Sequence, residues 1–221
     1  MPPEQAWVHT SFGSNSSIAA VGGTAAEGLN ATGATLVAEG SISNAGTQLM
    51  TDVWVAVGFI ADAQVIATRA VGPLTVAPNG STSFEVQVSP REAVQLWSVA
   101  RPVLHTARIA VHVGGSDGPA VDSYNVTFGA RDAHFDADRG FFLNRQHVKL
   151  RGFCDFGPFG AVGAATPDRV HLYRAQVLRS VGANSWRMAH NPPAPGRLDV
   201  MDRLGMLALD ENHYYGTCSV E

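Results

Sequence analysis

Thr166-Pro167-Asp168-Arg169-Val170-His171-Leu172-Tyr173-Arg174-Ala175-Gln176-Val177-Leu178-Arg179-Ser180-Val181-Gly182 is followed at once by Ala183-Asn184-Ser185-Trp186-Arg187-Met188. The first three residues open a helix, with Thr166 as N-cap, Pro167 at the first helical position and Asp168 in the first turn. Val170, Tyr173, Val177, Leu178 and Val181 then recur at helical spacing, and Gly182 stands where a helix stops. Asn184 to Met188 reads as a short strand. Asn191-Pro192-Pro193-Ala194-Pro195 turns the chain into a brief helix around Leu198 to Arg203, Gly205 ends it, and Met206 to Asp210 is an apolar strand with an acidic end. Val148 to Phe153 supplies a strand ahead of the first helix. The order is strand, helix, strand, helix, strand. Two consecutive βαβ units of this kind require a parallel sheet covered by helices.

Upstream of residue 130 the texture is different. Ala34 to Glu39, Val53 to Ile60, Gln64 to Thr68, Ser83 to Val88, Arg108 to Val113 and Val121 to Thr127 read as strands, rich in Val, Ile and Thr. Phe84, Val86 and Val88 fall on one face, and Ser83, Glu85 and Gln87 on the other. Turn chemistry separates the strands at Ser43-Asn44-Ala45-Gly46, Pro78-Asn79-Gly80-Ser81 and Gly114-Gly115-Ser116-Asp117-Gly118-Pro119. Six or seven short strands with no helical segment predict an immunoglobulin-like β-sandwich over residues 1–130. The first 30 residues are expected to add an edge strand and a loop.

Composition narrows the functional classes. The chain has 221 residues, a formal net charge of −4 and only 15% charged residues. Lys149 is the one lysine among 15 basic residues. An acidic chain without a basic stripe is not expected to bind nucleic acid or an anionic membrane surface. No apolar run approaches the roughly 20 residues of a membrane span, and no signal peptide is visible. Asn15, Asn30, Asn79 and Asn125 each begin an Asn-x-Ser/Thr pattern, a chance-prone triplet that leaves localisation unknown. Cys154 and Cys218 are read as two unpaired thiols. His171, His190 and His213 share no ligand spacing, so neither a metal site nor a cofactor is expected.

Residues 131–221 are 91 in number. A (β/α)8 barrel needs eight repeats and about 250 residues. The count fits either a small open sheet or the opening strands and helices of an incomplete (β/α)8 TIM barrel.

Particular residues favour the second. Asn144-Arg145-Gln146-His147-Val148-Lys149-Leu150-Arg151-Gly152 resembles the segment that opens the catalytic barrel of glycoside hydrolase family 2, the β-galactosidases, β-glucuronidases and β-mannosidases. Val181 to Pro193 resembles that family's "mGaNaiRtsHnPp" segment, and Leu198 to Glu211 its "lLdlcDrlGmlvmDE" segment. Gln95 to Thr106 and Phe128-Gly129-Ala130-Arg131 are similar to the edge and exit of its sandwich domain. The resemblance covers about residues 95–215 in continuous order. Gly152-Phe153-Cys154-Asp155, with the Gly-rich sequence after it, leans towards β-galactosidase-like members.

The resemblance implies a retaining glycosidase. One carboxyl protonates the leaving oxygen, and a second, about 5–5.5 Å away, forms the glycosyl-enzyme. The family draws both from later barrel strands, as an Asn-Glu pair and a further Glu. No Asn-Glu dipeptide occurs in this chain. Acid/base and nucleophile are therefore expected beyond Glu221, with no catalytic residue in the chain itself, which reads as a fragment, inactive in isolation. Asp210 and Glu211 are not a substitute dyad, since successive strand residues face opposite ways. The positions left to supply are supporting ones. Arg187 matches the arginine that steadies the nucleophilic carboxylate, and His190 the histidine that hydrogen-bonds sugar hydroxyls. Asn191 shapes the adjoining loop. Asp155 stands after the first strand, where relatives carry a polar sugar-contact loop, often with histidine; here the loop reads Asp155-Phe156-Gly157-Pro158-Phe159-Gly160. Phe156 and Phe159 read as packing side chains, with stacking on a sugar face the alternative. Trp97 and Trp186 read as core. The implied partner is a β-glycoside in the full-length parent, possible as a homo-oligomer. The competing reading is a non-catalytic module, built on a barrel remnant, that binds sugar or a partner.

Overall fold

The computed structural model describes residues 5–20 and 28–211, which divide into two compact units. The first unit takes in the chain to Trp97 and Val103–Asp132; the second takes in Ser98–Pro102 and the chain from Ala133 onward.

The first unit is two antiparallel sheets around one core. One sheet joins β1 (Gln5–Ala20), β2 (Leu29–Asn44) and β5 (Gly80–Val88), with β6 (Val94–Gln95) also paired to β2. The other has the order β4 (Gln64–Val76), β3 (Met50–Ala61), β7 (His105–Val113), β8 (Ala120–Phe128). Leu36, Ala38, Phe84 and Val86 from the first sheet and Val55, Val57, Phe59 and Ile109 from the second are buried in a single cluster. The alternation expected in β5 is seen, with Phe84 and Val86 buried and Ser83, Glu85 and Gln87 exposed. Every strand expected from the sequence forms, and each is longer than its apolar run, because cross-strand hydrogen bonding carries pairing past the residues that pack. The edge strand expected near the N-terminus is β1, paired antiparallel to β2. The loop expected after it lies at residues 21–27, outside the described residues.

Trp97 is 1% exposed, as expected of a core residue. Its backbone N–H donates to the Ala130 carbonyl at 2.7 Å, and the Arg131 guanidinium lies 5.3 Å from the centre of its ring. A Cβ at Gly129 would come within 2.7 Å of the Trp97 Cβ. The Phe128-Gly129-Ala130-Arg131 run therefore needs glycine at its second place so that the chain can pass the indole.

The second unit begins with a small meander that the sequence did not suggest, β9 (Ala133–Asp136), β10 (Gly140–Leu143) and β11 (Gln146–His147). Asp136 closes its first turn by accepting the Asp138 and Arg139 N–H groups and pairing with the Arg139 guanidinium. These bonds hold its carboxyl below the ordinary aspartate range.

The two βαβ units follow as read. β12 (Gly152–Asp155), β13 (Ser185–Met188) and β14 (Leu207–Leu209) are parallel in that order, with α1 (Asp168–Ser180) and α2 (Pro195–Leu204) between them. Three details differ from the sequence reading. The strand expected from Val148 starts only at Gly152. Asn184 explains the delay: its side-chain amide donates to the Lys149 carbonyl at 2.9 Å and accepts from the Arg151 N–H at 2.7 Å, occupying groups a ladder would use. Thr166 does not cap α1. The cap position falls on Pro167, whose carbonyl accepts the Val170 N–H, while the Thr166 hydroxyl donates to Gly163. The third difference concerns the buried face of α1. Tyr173, Val177 and Val181 are exposed, and His171 and Ala175 are buried, with Leu172 and Leu178 packed beside them. Gly182 and Gly205 stop the helices as expected, both at positive φ.

Phe59 is fully buried and meets the Phe128 ring edge-on at 6.0 Å. Phe59→Ala is expected to destabilise the sandwich by about 3–5 kcal/mol, read as a lower urea midpoint with the slope unchanged.

Candidate functional site at the ends of the parallel strands

Strand alternation sorts the second unit's functional side chains into two groups. In the parallel ladder Cys154, Arg187 and Leu209 stand side by side, and so do Asp155 and Met188. Trp186 and Met188 are 1% exposed and pack with Ala175 of α1 and Val200 and Met201 of α2, so theirs is the helix-covered face. Arg187 leaves by the other face, where Cys154 and Leu209 are also exposed.

On that open face the Arg187 Nε donates to the Glu211 carboxylate at 2.5 Å, and Nη1 lies 3.5 Å from the Cys154 sulfur. The hydrogen bond to Glu211, reinforced by its charge, raises the affinity of Arg187 for its proton. Glu211 is two residues beyond Leu209, the interval that returns a side chain to the same face. Cys154 is a free thiol, as expected; Cys218 lies outside the described residues. So does Glu221, the residue beyond which the acid/base and the nucleophile are expected. The acid that Arg187 meets among the described residues is Glu211.

The loop after β13 carries the other two expected residues. His190 is half-buried, with its ring edge-on to Phe156 at 5.2 Å, and Asn191 is exposed. The structure thus sets His190 beside the aromatic side chain of the first loop. It does not set Asp155 with them.

Asp155 faces the helices. Its Oδ2 accepts from Arg197 Nη2 at 2.7 Å and pairs with Arg174, while Oδ1 accepts the Gly157 N–H at 3.3 Å. This position, expected to bind or to support, is a carboxylate gripped by two guanidinium groups under the loop, with 15% of its side chain exposed. Its backbone carbonyl accepts the Ala189 N–H at 2.9 Å, tying the first strand's exit to the second's. Arg197 is 2% exposed and stacks on Trp186 at 3.8 Å from ring centre to guanidinium carbon. Arg174 lies 5.3 Å from the same ring and 5.4 Å from Phe159. Burial pulls Arg197 below the ordinary arginine value, and Asp155 opposes that pull.

His171 is 3% exposed, and neither ring nitrogen has a hydrogen-bond partner. Burial lowers its proton affinity, the positive charges of Arg197 and Arg174 lower it further, and Asp168 and Asp155 act the other way. The sequence reading missed this cluster, although a signal was present. Arg197, Val200, Met201 and Leu204 stand at i, i+3, i+4 and i+7, which places an arginine on an apolar stripe. His171, Ala175 and Leu178 do the same for a histidine. Among the described residues no group of three or more His, Cys, Asp or Glu side chains could hold a metal ion.

Residues 137–221 match the family described as Glycosyl hydrolases family 2, TIM barrel domain. Through this segment the chain belongs to glycoside hydrolase family 2. It is similar to the beta-galactosidase BoGH2A of Bacteroides ovatus, 37% identical over 117 residues, which are 53% of this chain and 13% of that protein. It is also similar to a putative beta-glucuronidase of Formosa agariphila, 32% identical over 151 residues, 68% of this chain and 14% of the relative. A solved family 2 member from Bacteroides cellulosilyticus superposes with a TM-score of 0.70 at 26% identity, over 81% of this chain and 24% of that one. The chain spans about one seventh of the length of these curated relatives.

Two outcomes follow from the helix-side cluster. Asp155→Ala leaves two guanidinium groups without their shared carboxylate and is expected to cost about 3–5 kcal/mol in chemical denaturation. Because the folded state holds His171 below its unfolded value near 6.5, the unfolded chain takes up the proton first as pH falls. His171 therefore withdraws stability below about pH 6.5, levelling off once its folded value is passed. Unfolding free energies measured from pH 8 to pH 5 should decline less steeply in His171→Gln.

Proposed function

We propose that these residues form the sandwich domain and the opening strands of the catalytic barrel of a retaining O-glycosidase, with β-galactosides as its substrates. The sandwich is, on this reading, of the immunoglobulin-like kind. The chain's part in catalysis is to hold and orient. The acid/base and nucleophile come from later barrel strands, which on this reading follow Glu221, and the chain by itself turns nothing over.

The observation that carries this reading is Arg187. It stands at the C-terminal end of a parallel strand, where barrel enzymes build their sites, and it leaves by the face opposite the helices. Its guanidinium already engages a carboxylate, that of Glu211. A planar fork in that position suits the nucleophile of the two-carboxylate mechanism, keeping it ionised and aimed at the anomeric carbon. His190, in the loop that leaves the same strand, is the group we assign to sugar hydroxyls, with Asn191 shaping that loop. Phe156, edge-on to His190, offers a ring against the apolar face of a hexose. Asp155 we assign to positioning: its side chain and its carbonyl join both helices and both strand exits without reaching the sugar side. The β-galactoside assignment leans on the Gly152-to-Asp155 segment and on the similarity to the Bacteroides ovatus enzyme.

The 221-residue chain, incubated with a chromogenic β-galactoside, is expected to give no turnover. Hydrolysis abolished by Glu211→Gln would overturn the assignment, because it would put a reacting carboxylate inside this chain. In a protein carrying this chain and the rest of the barrel, Arg187→Ala is expected to lower kcat by about 10²–10³-fold, the scale of losing one preorganised electrostatic partner. His190→Ala should act on the same rate. Unchanged kcat in Arg187→Ala would remove the arginine from the mechanism.

A further inference from the structure

A pocket of about 270 Å³ opens between the loop after β12 and the loop after β13, on the helix-covered side of the strands. His171 and Arg197 form part of its wall, and Phe156, Met188, Pro192 and Ala194 give it an apolar lining. It is set apart from Arg187 and Glu211, which leave the sheet by its other face.

The charges around this pocket do not balance. Arg174 and Arg197 share one carboxylate, that of Asp155. Both ring nitrogens of His171 and the Nε of Arg197 are buried with no hydrogen-bond partner. Arg174 spends a further N–H on the Gly157 carbonyl at 3.2 Å, and Arg197 has no second acceptor among the bonds it makes. Arg197 also lies in the first turn of α2, and His171 in that of α1, so both sit at the positive ends of helix dipoles. Asp168 at the start of α1 is exposed and approaches Gly196, but it makes no ion pair with either guanidinium at salt-bridge distance. A buried arginine at a helix N-terminus is costly unless a negative charge is at hand. In direct contact two guanidinium groups share one carboxylate beside apolar walls, and the next acid, Asp168, is exposed to solvent and paired with neither.

We propose that this pocket binds a small organic monocarboxylate, its carboxylate directed at Arg197 and His171 and its apolar body against Phe156, Met188 and Pro192. A single negative charge completes the balance that Asp155 leaves half done. A dianion would reverse it. An inorganic monoanion would leave the apolar lining unused. The proposal does not rest on the glycosidase reading, since its charged groups, Arg197 and His171, have no part there, although Phe156 and Asn191 border both places.

The test is calorimetric titration of the full chain with benzoate, benzyl alcohol and chloride at matched ionic strength. Benzoate should bind saturably in the millimolar range, benzyl alcohol at least about tenfold more weakly, as loss of a charge-assisted hydrogen bond requires, and chloride should not compete. Arg197→Met keeps the side-chain volume and the Asp155–Arg174 pair, and is expected to weaken benzoate by about tenfold or more. If that variant does not fold, the wild-type comparison still decides. The proposal is overturned by an absence of saturable benzoate binding, which would leave the pocket to water. Benzyl alcohol binding as tightly as benzoate, or a folded Arg197→Met that binds benzoate unchanged, would also overturn it.

Discussion

Neighbouring side chains on a strand leave by opposite faces, and in β12, β13 and β14 this constraint separates two kinds of chemistry one residue apart. Trp186 turns inward to the helices and Arg187 outward. Cys154 turns outward and Asp155 inward, in register with Met188. The helix face is fixed by burial, because Trp186 and Met188 fill the space between α1 and α2. Once that face is set, the direction of Arg187 follows with no freedom left. A shift of one residue in the register of β13 would bury the guanidinium and expose the indole.

The helix side is held by an unusual core. Trp186 is a platform for two arginines, and Asp155 joins them. Desolvated ion pairs contribute little net stability, but breaking one strands a charge. Here the arrangement gives geometry. One carboxylate reaches α1 and α2, its backbone carbonyl takes the Ala189 N–H, and the loops bearing Phe156 and His190 are thereby set from a common point. The open side, with Arg187 and Glu211, has its direction determined from behind.

Much of the fold was legible in the sequence. The strands of the sandwich announced themselves through β-branched runs and turn residues, and the two βαβ units through glycine stops and the proline-rich turn. Gly129 was legible as part of a motif, but its reason, the Trp97 Cβ 2.7 Å from any added Cβ, was not. The buried face of α1 was misread because Tyr173 and Val177 are apolar and His171 and Arg174 are polar. Hydrophobic periodicity does not anticipate a histidine in the core or an arginine whose charge is met by a residue 19 positions earlier. The small meander at Ala133–His147 escaped notice because its strands are two to four residues long, too short for any period to register.

What the sequence determined by itself was the order and kind of the longer elements, the family of the second unit, and the presence of Arg187, His190 and Asn191 at strand exits. These are local properties: propensity, spacing and turn chemistry act over a few residues. Only the tertiary structure decided what each exit residue faces. Asp155 was read from its place after β12 only as a binding or supporting position, and the fold turns its carboxylate to Arg174 and Arg197. The physical reason is that a side chain's partners depend on which face of the sheet the helices cover, and that is settled by packing between segments far apart in the chain.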